Sequence, residues 1–121
     1  MLTGEHPVTA KAIAKQVGII PATSPTVEDV ASRHHIAVKD MTADMMREVS
    51  AVVLNASEIR DLTPAMVEHA LTAHRDVVFA RVSPQQKITV VDTARRMGYI
   101  VASTGDSVYD RCEYSSISFS Y

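Results

Sequence analysis

The chain has 121 residues, which is enough for one domain rather than two. Its 12 Lys and Arg residues against 14 Asp and Glu residues give a formal net charge of −2, which argues against a dedicated nucleic-acid binder with a basic surface. Hydrophobic residues make up 46% and charged residues 21%, so the composition is that of a globular rather than a disordered chain. The single cysteine, Cys112, cannot form an internal disulfide and indicates a reduced, cytosolic domain.

The sequence predicts no membrane-spanning segment. Apolar runs such as residues 52–54 and 77–80 are far shorter than the about 20 residues that a spanning helix needs. Residues 1–5 contain neither a basic stretch nor an apolar run, so we do not expect a secretory signal peptide there.

The first half of the chain predicts three helices. Pro7 can occupy the first position of a helix and Gly18 can stop it, so a helix is expected between them. The predicted apolar face of this helix consists of Val8, Ala12, Ile13 and Val17. Thr26 can cap a short helix that ends near His34, and residues 42–48 predict another.

The second half alternates predicted strands and helices. Uncharged runs rich in β-branched residues predict buried strands at residues 51–54, 77–80 and 99–103. Thr63 and Ser83 each place a capping hydroxyl directly before a proline, which predicts that a helix begins there. The second of these helices is expected to end at Gly98.

This alternation predicts an α/β fold with a parallel sheet and flanking helices. The connections between strands are crossovers, which favours parallel strands joined in right-handed βαβ units. Such a sheet binds ligands at the carboxyl ends of its strands. If residues 1–2 are the end of a strand, the polar loops at residues 3–5 and 104–106 both lie at that edge.

The loop at residues 3–5 is a candidate phosphate site. A Thr-Gly turn between a strand and a helix offers the Thr3 hydroxyl and free N–H groups near Gly4, at the positive end of the helix. Thr-Gly also forms ordinary turns, and Glu5 at the same helix start is explained equally by capping.

Three further residues could carry the chemistry of a phosphate site. Asp106 and Asp110 lie four residues apart in a glycine-containing loop and could hold Mg²⁺, although a solvated acidic loop explains them as well. Lys87 lies one turn into its helix and could reach a phosphate at the strand ends, or it could be a surface lysine. His69 and His74 are five residues apart, which is not the spacing of a helical metal site.

Four segments carry distinctive motifs. They are residues 3–14 (Thr-Gly-Glu-His-Pro-Val-Thr-Ala-Lys-Ala-Ile-Ala), 26–31 (Thr-Val-Glu-Asp-Val-Ala), 78–87 (Val-Phe-Ala-Arg-Val-Ser-Pro-Gln-Gln-Lys) and 104–106 (Thr-Gly-Asp). In this order and spacing they resemble the catalytic alpha subunits of the sodium/potassium and proton/potassium P-type cation pumps. The resemblance extends over roughly residues 1–110.

The resemblance implies part of a cytosolic phosphorylation domain with a haloacid-dehalogenase-like, Rossmann-like fold. It implies that Thr3 and Gly4 hold phosphoryl oxygens, that Lys87 neutralises the transferring phosphoryl group, and that Asp106 binds Mg²⁺ with support from Asp110. The parent pump would use ATP to exchange sodium for potassium across the plasma membrane. Its partners would be the remainder of the alpha subunit and the beta subunit.

Some features depart from the family pattern. The sequence contains no Asp-Lys-Thr-Gly-Thr motif, whose Asp takes the γ-phosphate in this family. Glu5 stands where the family has Asp, and Ser107 and Tyr109 stand where the family's loop has Gly and Asn. We therefore expect these 121 residues alone to perform no transport and to form no phosphoenzyme.

The pattern divides the chain into a partial phosphorylation domain at residues 1–110 and a divergent tail at residues 111–121, which has no helical period. Two alternatives stay open for an isolated cytoplasmic product of this sequence. One is a stand-alone regulatory module that binds phosphate or a nucleotide. The other is a non-functional translated gene fragment, which the lost periodicity of the tail favours.

Overall fold

Five α-helices and two strands make up the regular structure of residues 1–102, the part of the chain that the computed structural model describes. The helices are α1 (Pro7–Gln16), α2 (Val27–Arg33), α3 (Ala43–Arg47), α4 (Pro64–Ala73) and α5 (Pro84–Arg96). The strands are β1 (Ala51–Asn55) and β2 (Asp76–Ala80), and short 3₁₀ turns occupy Val38–Asp40 and Ala56–Glu58. The predicted domain boundary at residue 110 and the tail at residues 111–121 lie outside this range.

Local hydrogen bonds explain where four of these helices begin. The hydroxyls of Thr26, Thr42, Thr63 and Ser83 each accept a hydrogen bond from the N–H group of the third helical residue. A proline occupies the first position of α1, α4 and α5, where its missing N–H costs nothing. The predicted helix starts are confirmed.

Glycine follows the ends of two helices, as the sequence predicts. Gly18 after α1 has a φ of +79° and Gly98 after α5 has a φ of +87°. These left-handed conformations close the last helical turn at little steric cost to glycine, because it has no Cβ atom.

The sheet is parallel, as predicted, and β2 lies at its centre. Strand β1 pairs with β2 from Ala51 opposite Asp76 to Asn55 opposite Ala80. On the other side of β2, the Phe79 N–H donates to the Met1 carbonyl at 2.8 Å, which brings residues 1–3 alongside as a short parallel segment.

The prediction of a third strand at residues 99–103 is wrong, because residues 99–102 form no strand. Ser103 lies outside the described range. Both edges of β2 are already occupied, by β1 and by residues 1–3, so this segment cannot pair with β2. The Tyr99 N–H instead donates to the Ala94 carbonyl at 3.0 Å, and Ile100 is fully exposed.

Successive residues of β2 point to opposite faces of the sheet, and each face has its own core. One core lies under α4 and α5 and contains Val52, Ala56, Leu62, Val67, Ala70, Val77, Phe79, Val82 and Val90. The other lies under α1 and contains Ala10, Ala14, Ile20, Ala51, Val78 and Ala80. The predicted arrangement of a sheet between helices is therefore confirmed.

The predicted apolar face of α1 is wrong. Ala10 and Ala14 are fully buried, whereas the Val8 and Val17 side chains are 72% and 61% exposed. The alanines pack against the sheet because their small side chains let the helix backbone approach it closely, which outweighs the larger apolar area of the valines.

No helix within the described range is both long enough and apolar enough to cross a membrane.

Candidate functional site

The loop at residues 3–5 is hydrogen-bonded to the loop that leads from β2 into α5. The Val82 N–H donates to the Thr3 carbonyl at 3.2 Å, and the Arg81 N–H donates to the Glu5 carbonyl at 3.0 Å. The starts of α1 and α5 are thereby joined at the carboxyl end of β2. This is the edge at which the sequence places the candidate phosphate site.

The Thr3 backbone is fixed by the sheet, and its hydroxyl faces its own loop. The Thr3 N–H donates to the Phe79 carbonyl at 2.9 Å, and the Glu5 N–H donates to Thr3 Oγ1 at 3.2 Å. A hydroxyl that accepts one hydrogen bond still has its own O–H to donate. Thr3 can therefore offer that proton to an anion without breaking the loop.

Gly4 leaves open space beside the backbone of this loop. A Cβ atom built at Gly4 would meet no heavy atom within 4 Å, and Gly4 does not have the left-handed φ of Gly18 and Gly98. The surrounding fold therefore does not require glycine at this position. A ligand that approaches the backbone closely would require it.

His6 caps α1 immediately after the loop, and sequence reasoning gave it no role. His6 Nδ1 accepts a hydrogen bond from the Val8 N–H at 3.3 Å. Pro7 could have indicated this role from the sequence, because a proline at the first helical position makes the residue before it the cap.

Lys87 lies on α5, the helix that begins at this edge. It is the fourth residue of the helix, its N–H donates to the Ser83 carbonyl at 2.9 Å, and it is half-buried. Thr3 and Gly4 are thus joined through Val82 to the loop from which the helix of Lys87 starts. The convergence of the Lys87 ammonium group with Thr3 stays a prediction.

Gln86 is a second residue to which sequence reasoning gave no role. Its Oε1 accepts from the Ser83 N–H at 3.0 Å, and its Nε2 donates to the carbonyls of Ala56 and Ile59 at 3.1 and 3.3 Å. The spacing of Ser83 and Gln86 is that of a capping box, which predicts the first of these bonds. The bonds to the turn after β1 have no local sequence signal.

A second polar turn follows β1 at the same edge of the sheet. Asn55 Nδ2 donates to Glu58 Oε1 at 2.6 Å, and Asn55 Oδ1 accepts from the Ser57 hydroxyl at 2.8 Å. These bonds hold the Ala56–Glu58 turn in shape, and Gln86 binds the carbonyl of its first residue.

Arg81, at the end of β2, has a left-handed φ of +55°. For a residue with a Cβ atom this conformation costs roughly 1–2 kcal/mol. The hydrogen bond from its N–H to the Glu5 carbonyl holds it there. Among the described residues, the other non-glycine residue with a left-handed φ is His35, which follows α2.

The structure does not test the predicted magnesium residues. Asp106 and Asp110 lie outside the described residues. Within residues 1–102, no group of three or more His, Cys, Asp or Glu side chains is placed to hold a metal ion. His69 and His74 help to line an apolar cavity of about 400 Å³ next to α4, and His74 Nδ1 has no hydrogen-bond partner among residues 1–102.

A charged cluster joins α1 to α2 and so joins two of the motif segments. Lys11 Nζ donates to Thr26 Oγ1 at 2.6 Å and to Glu28 Oε2 at 2.9 Å, and it lies 3.4 Å from Asp29 Oδ1. Lys15 Nζ lies 3.1 Å from Asp29 Oδ2. Neither lysine belongs to the apolar face that the sequence predicts for α1, and the sequence did not predict the cluster.

The cluster lowers the pKa of both carboxyl groups. Burial alone would raise the pKa of Asp29, but hydrogen bonds from the Thr26 N–H, the Thr26 hydroxyl and Lys15, with the charge of Lys11, together hold that pKa well below its usual range. Burial likewise opposes the shift at Glu28, whose pKa is lowered mainly by its hydrogen bond from Lys11. The cluster therefore stabilises the contact between α1 and α2.

Comparison with known proteins identifies close relatives, although no family model matches the chain. The chain is 50% identical over 110 residues to potassium-transporting ATPase alpha chain 2 of Rattus norvegicus. This match covers 91% of the chain and 10% of that protein. It is 49% identical over 110 residues to the sodium/potassium-transporting ATPase alpha subunit of Drosophila melanogaster and to subunit alpha-B of Artemia franciscana. These matches also cover 91% of this chain, and 10% and 11% of the two relatives. The chain therefore spans about a tenth of the length of the curated relatives it matches.

Proposed function

Because this chain belongs to the family of the sodium/potassium- and potassium-transporting P-type ATPase alpha subunits, we propose that it provides phosphate contacts within their phosphorylation domain. The observation that carries the proposal is the junction of two loops at one strand edge. The loop with Thr3 and Gly4 is hydrogen-bonded to the loop from which the helix of Lys87 begins. Both are motif segments that the family resemblance associates with phosphate.

Each group at this edge has a distinct part in holding a phosphoryl group. The Thr3 hydroxyl donates its proton to one phosphoryl oxygen, and the open space at Gly4 lets the anion approach the loop backbone. The N-terminus of α1 contributes the positive end of a ten-residue helix. The ammonium group of Lys87 neutralises charge on the transferring group, as electrostatic catalysis of phosphoryl transfer requires.

The proposal includes Mg²⁺ held by Asp106 and Asp110 and ATP as the phosphate source in the parent pump. This part rests on the residue types and the family resemblance, because the described residues provide no metal site of their own. Carboxylate oxygens suit Mg²⁺, which, when bound, neutralises the charge of phosphoryl oxygens.

At the level of the whole pump, we propose a haloacid-dehalogenase-like domain on the cytosolic side of the plasma membrane. The remainder of the alpha subunit and the beta subunit are its partners, and the parent exchanges sodium for potassium at the expense of ATP. The parallel sheet between helices and the names of the relatives support this assignment.

For the 121 residues alone, we propose no transport and no phosphoenzyme, because the sequence contains no Asp-Lys-Thr-Gly-Thr motif. A stand-alone regulatory module would instead bind ATP in solution without becoming phosphorylated. A non-functional translated gene fragment would bind neither phosphate nor ATP.

Titration with inorganic phosphate tests the proposed site. The Gly4 amide signal in an ¹H–¹⁵N NMR spectrum reports binding, and the variant Lys87→Ala is compared with Lys39→Ala. Lys39 is exposed on the Val38–Asp40 turn, so its loss removes the same charge elsewhere on the molecule. We expect Lys87→Ala to weaken binding about tenfold, the loss typical of a hydrogen bond to a charged group.

Two results would overturn the proposal. The first is that phosphate does not shift the Gly4 signal of the unmodified chain at any concentration up to the limit of solubility. The second is that Lys87→Ala and Lys39→Ala change the affinity equally, which would show a general charge effect instead of a contact.

A further inference from the structure

The Gln86 side chain connects three backbone segments at the carboxyl edge of the sheet. Its Oε1 accepts the Ser83 N–H at 3.0 Å, which holds the start of α5. Its Nε2 donates to the carbonyls of Ala56 and Ile59 at 3.1 and 3.3 Å, which holds both ends of the turn after β1. A primary amide has two N–H donors, and here each has a carbonyl to bind.

This contact differs from an ordinary helix cap. The Ser83 hydroxyl and Gln86 Oε1 define where α5 begins, and a capping box needs nothing more. The two bonds from Nε2 reach residues 27 and 30 positions earlier in the chain. They fix the first turn of α5 against the loop of the neighbouring strand.

The bonds also restrain the residue that follows. Lys87 is adjacent to Gln86 and shares its helical turn, and its own N–H is bonded to the Ser83 carbonyl at 2.9 Å. A lysine side chain is long and flexible, so the place of its ammonium group depends on how firmly its backbone is held. A small rotation of the first turn of α5 would move that group relative to the loop at residues 3–5.

We propose that Gln86 is a positioning residue for Lys87. It holds the first turn of α5 against the turn after β1, so that the Lys87 ammonium group stays within reach of a phosphoryl group bound at Thr3 and Gly4. This inference rests on the proposed function of that loop as a phosphate site. Gln86 itself does not contact the phosphoryl group.

The substitution Gln86→Glu separates the two halves of this contact. A glutamate oxygen can still accept the Ser83 N–H, so the capping box survives. The two N–H donors are lost, and a carboxylate then faces the carbonyls of Ala56 and Ile59. The matched control is Gln85→Glu, which adds the same charge one residue earlier, at an exposed position of the same turn.

The affinity for inorganic phosphate is measured for both variants, each with Lys87 present and with Lys87→Ala. We expect Gln86→Glu to bind phosphate about fivefold more weakly than Gln85→Glu when Lys87 is present, the size of coupling typical of residues that act together. With Lys87→Ala in place, we expect the two variants to bind equally. If Gln86→Glu does not fold, Gln86→Ala is compared with Gln85→Ala in the same way.

The outcomes distinguish the two levels of the proposal. If Lys87→Ala leaves phosphate binding unchanged, the proposed phosphate site is wrong and the inference falls with it. If Lys87→Ala weakens binding but Gln86→Glu equals Gln85→Glu, the site stands and the positioning role is wrong. If Gln86→Glu is still the weaker binder without Lys87, Gln86 acts on the fold and not through Lys87, which also overturns the inference.

Discussion

Lys11 Nζ lies 2.6 Å from Thr26 Oγ1, so the middle of α1 is hydrogen-bonded to the cap of α2. The same ammonium group reaches Glu28 and Asp29 in the first turn of α2. One half-buried lysine thus holds together two segments that are 15 residues apart in the sequence.

The first prediction concerns the stability contributed by Lys11. Lys11→Met keeps most of the apolar stem but removes every polar contact of the ammonium group, which we expect to lower the free energy of unfolding by about 1–2 kcal/mol. The control is Lys15→Met, which loses one ion pair of a more exposed side chain and should cost at most about 1 kcal/mol. Urea unfolding followed by circular dichroism measures both. Equal losses would contradict the central role of Lys11.

The second prediction concerns acid stability. The pKa of Asp29 is lowered in the folded chain, so the folded state favours its ionised form. The stability that this provides is complete above the ordinary Asp pKa of about 4 and is lost as the pH falls below it towards the lowered value. We expect the free energy of unfolding to fall between about pH 5 and pH 3. It should fall less in Asp29→Asn, because asparagine binds no proton in either the folded or the unfolded state.

Asp44→Asn is the control for acid stability, because the Asp44 side chain is 89% exposed. Its loss of stability between the same two pH values should match that of the unmodified chain. A pH dependence that Asp29→Asn leaves unchanged would show that other groups are responsible.

The third prediction separates glycines that the fold needs from one that a ligand needs. Gly18→Ala forces a left-handed φ on a residue with a Cβ atom and should cost roughly 1–2 kcal/mol. Gly4→Ala meets no neighbour, so its effect on stability should stay within about 0.5 kcal/mol. Phosphate titration should show the reverse, with weaker binding in Gly4→Ala and unchanged binding in Gly18→Ala. A Gly4→Ala variant that binds phosphate normally would remove Gly4 from the proposed site.

The fourth prediction concerns phosphorylation. Incubation of the 121 residues with Mg²⁺ and γ-labelled ATP should give no acid-stable, hydroxylamine-sensitive label on the protein. An acyl phosphate needs a carboxylate placed in line with the γ-phosphate, and the motif that supplies it in the family does not occur in the sequence. Label that survives acid and disappears in Asp106→Asn would contradict this prediction.

Local sequence signals predicted the helix starts, because a capping hydroxyl and a proline act within one turn. They did not predict the third element of the sheet correctly. Residues 99–102 have the composition of a strand, but Met1 and Thr3 already bond the edge of Phe79 that such a strand would use. Which segment pairs with a strand depends on competition between segments that are distant in the sequence. The composition of a single segment does not reveal this.

The candidate site shows the same division between local and long-range information. Thr3, Gly4 and Lys87 could be proposed from turn chemistry and motif resemblance. Gln86 could be recognised as part of a capping box, but its bonds to Ala56 and Ile59 depend on how β1 and β2 lie side by side. The burial of Ala10 in place of Val8 was unpredictable for a similar reason, since it depends on the distance between helix and sheet.

The two faces of β2 carry side chains of different size, and this difference fixes the register of the strand. Val77 and Phe79 belong to the core under α4 and α5, whereas Val78 and Ala80 belong to the core under α1 with Ala10 and Ala14. Because side chains alternate, a slip of one residue would put the Phe79 ring in the place that Val78 or Ala80 fills against Ala10 and Ala14. Such a slip would also move the start of α5 by about 3.3 Å. The small side chains of α1 therefore fix the register of β2 and, with it, how far α5 extends beyond the sheet.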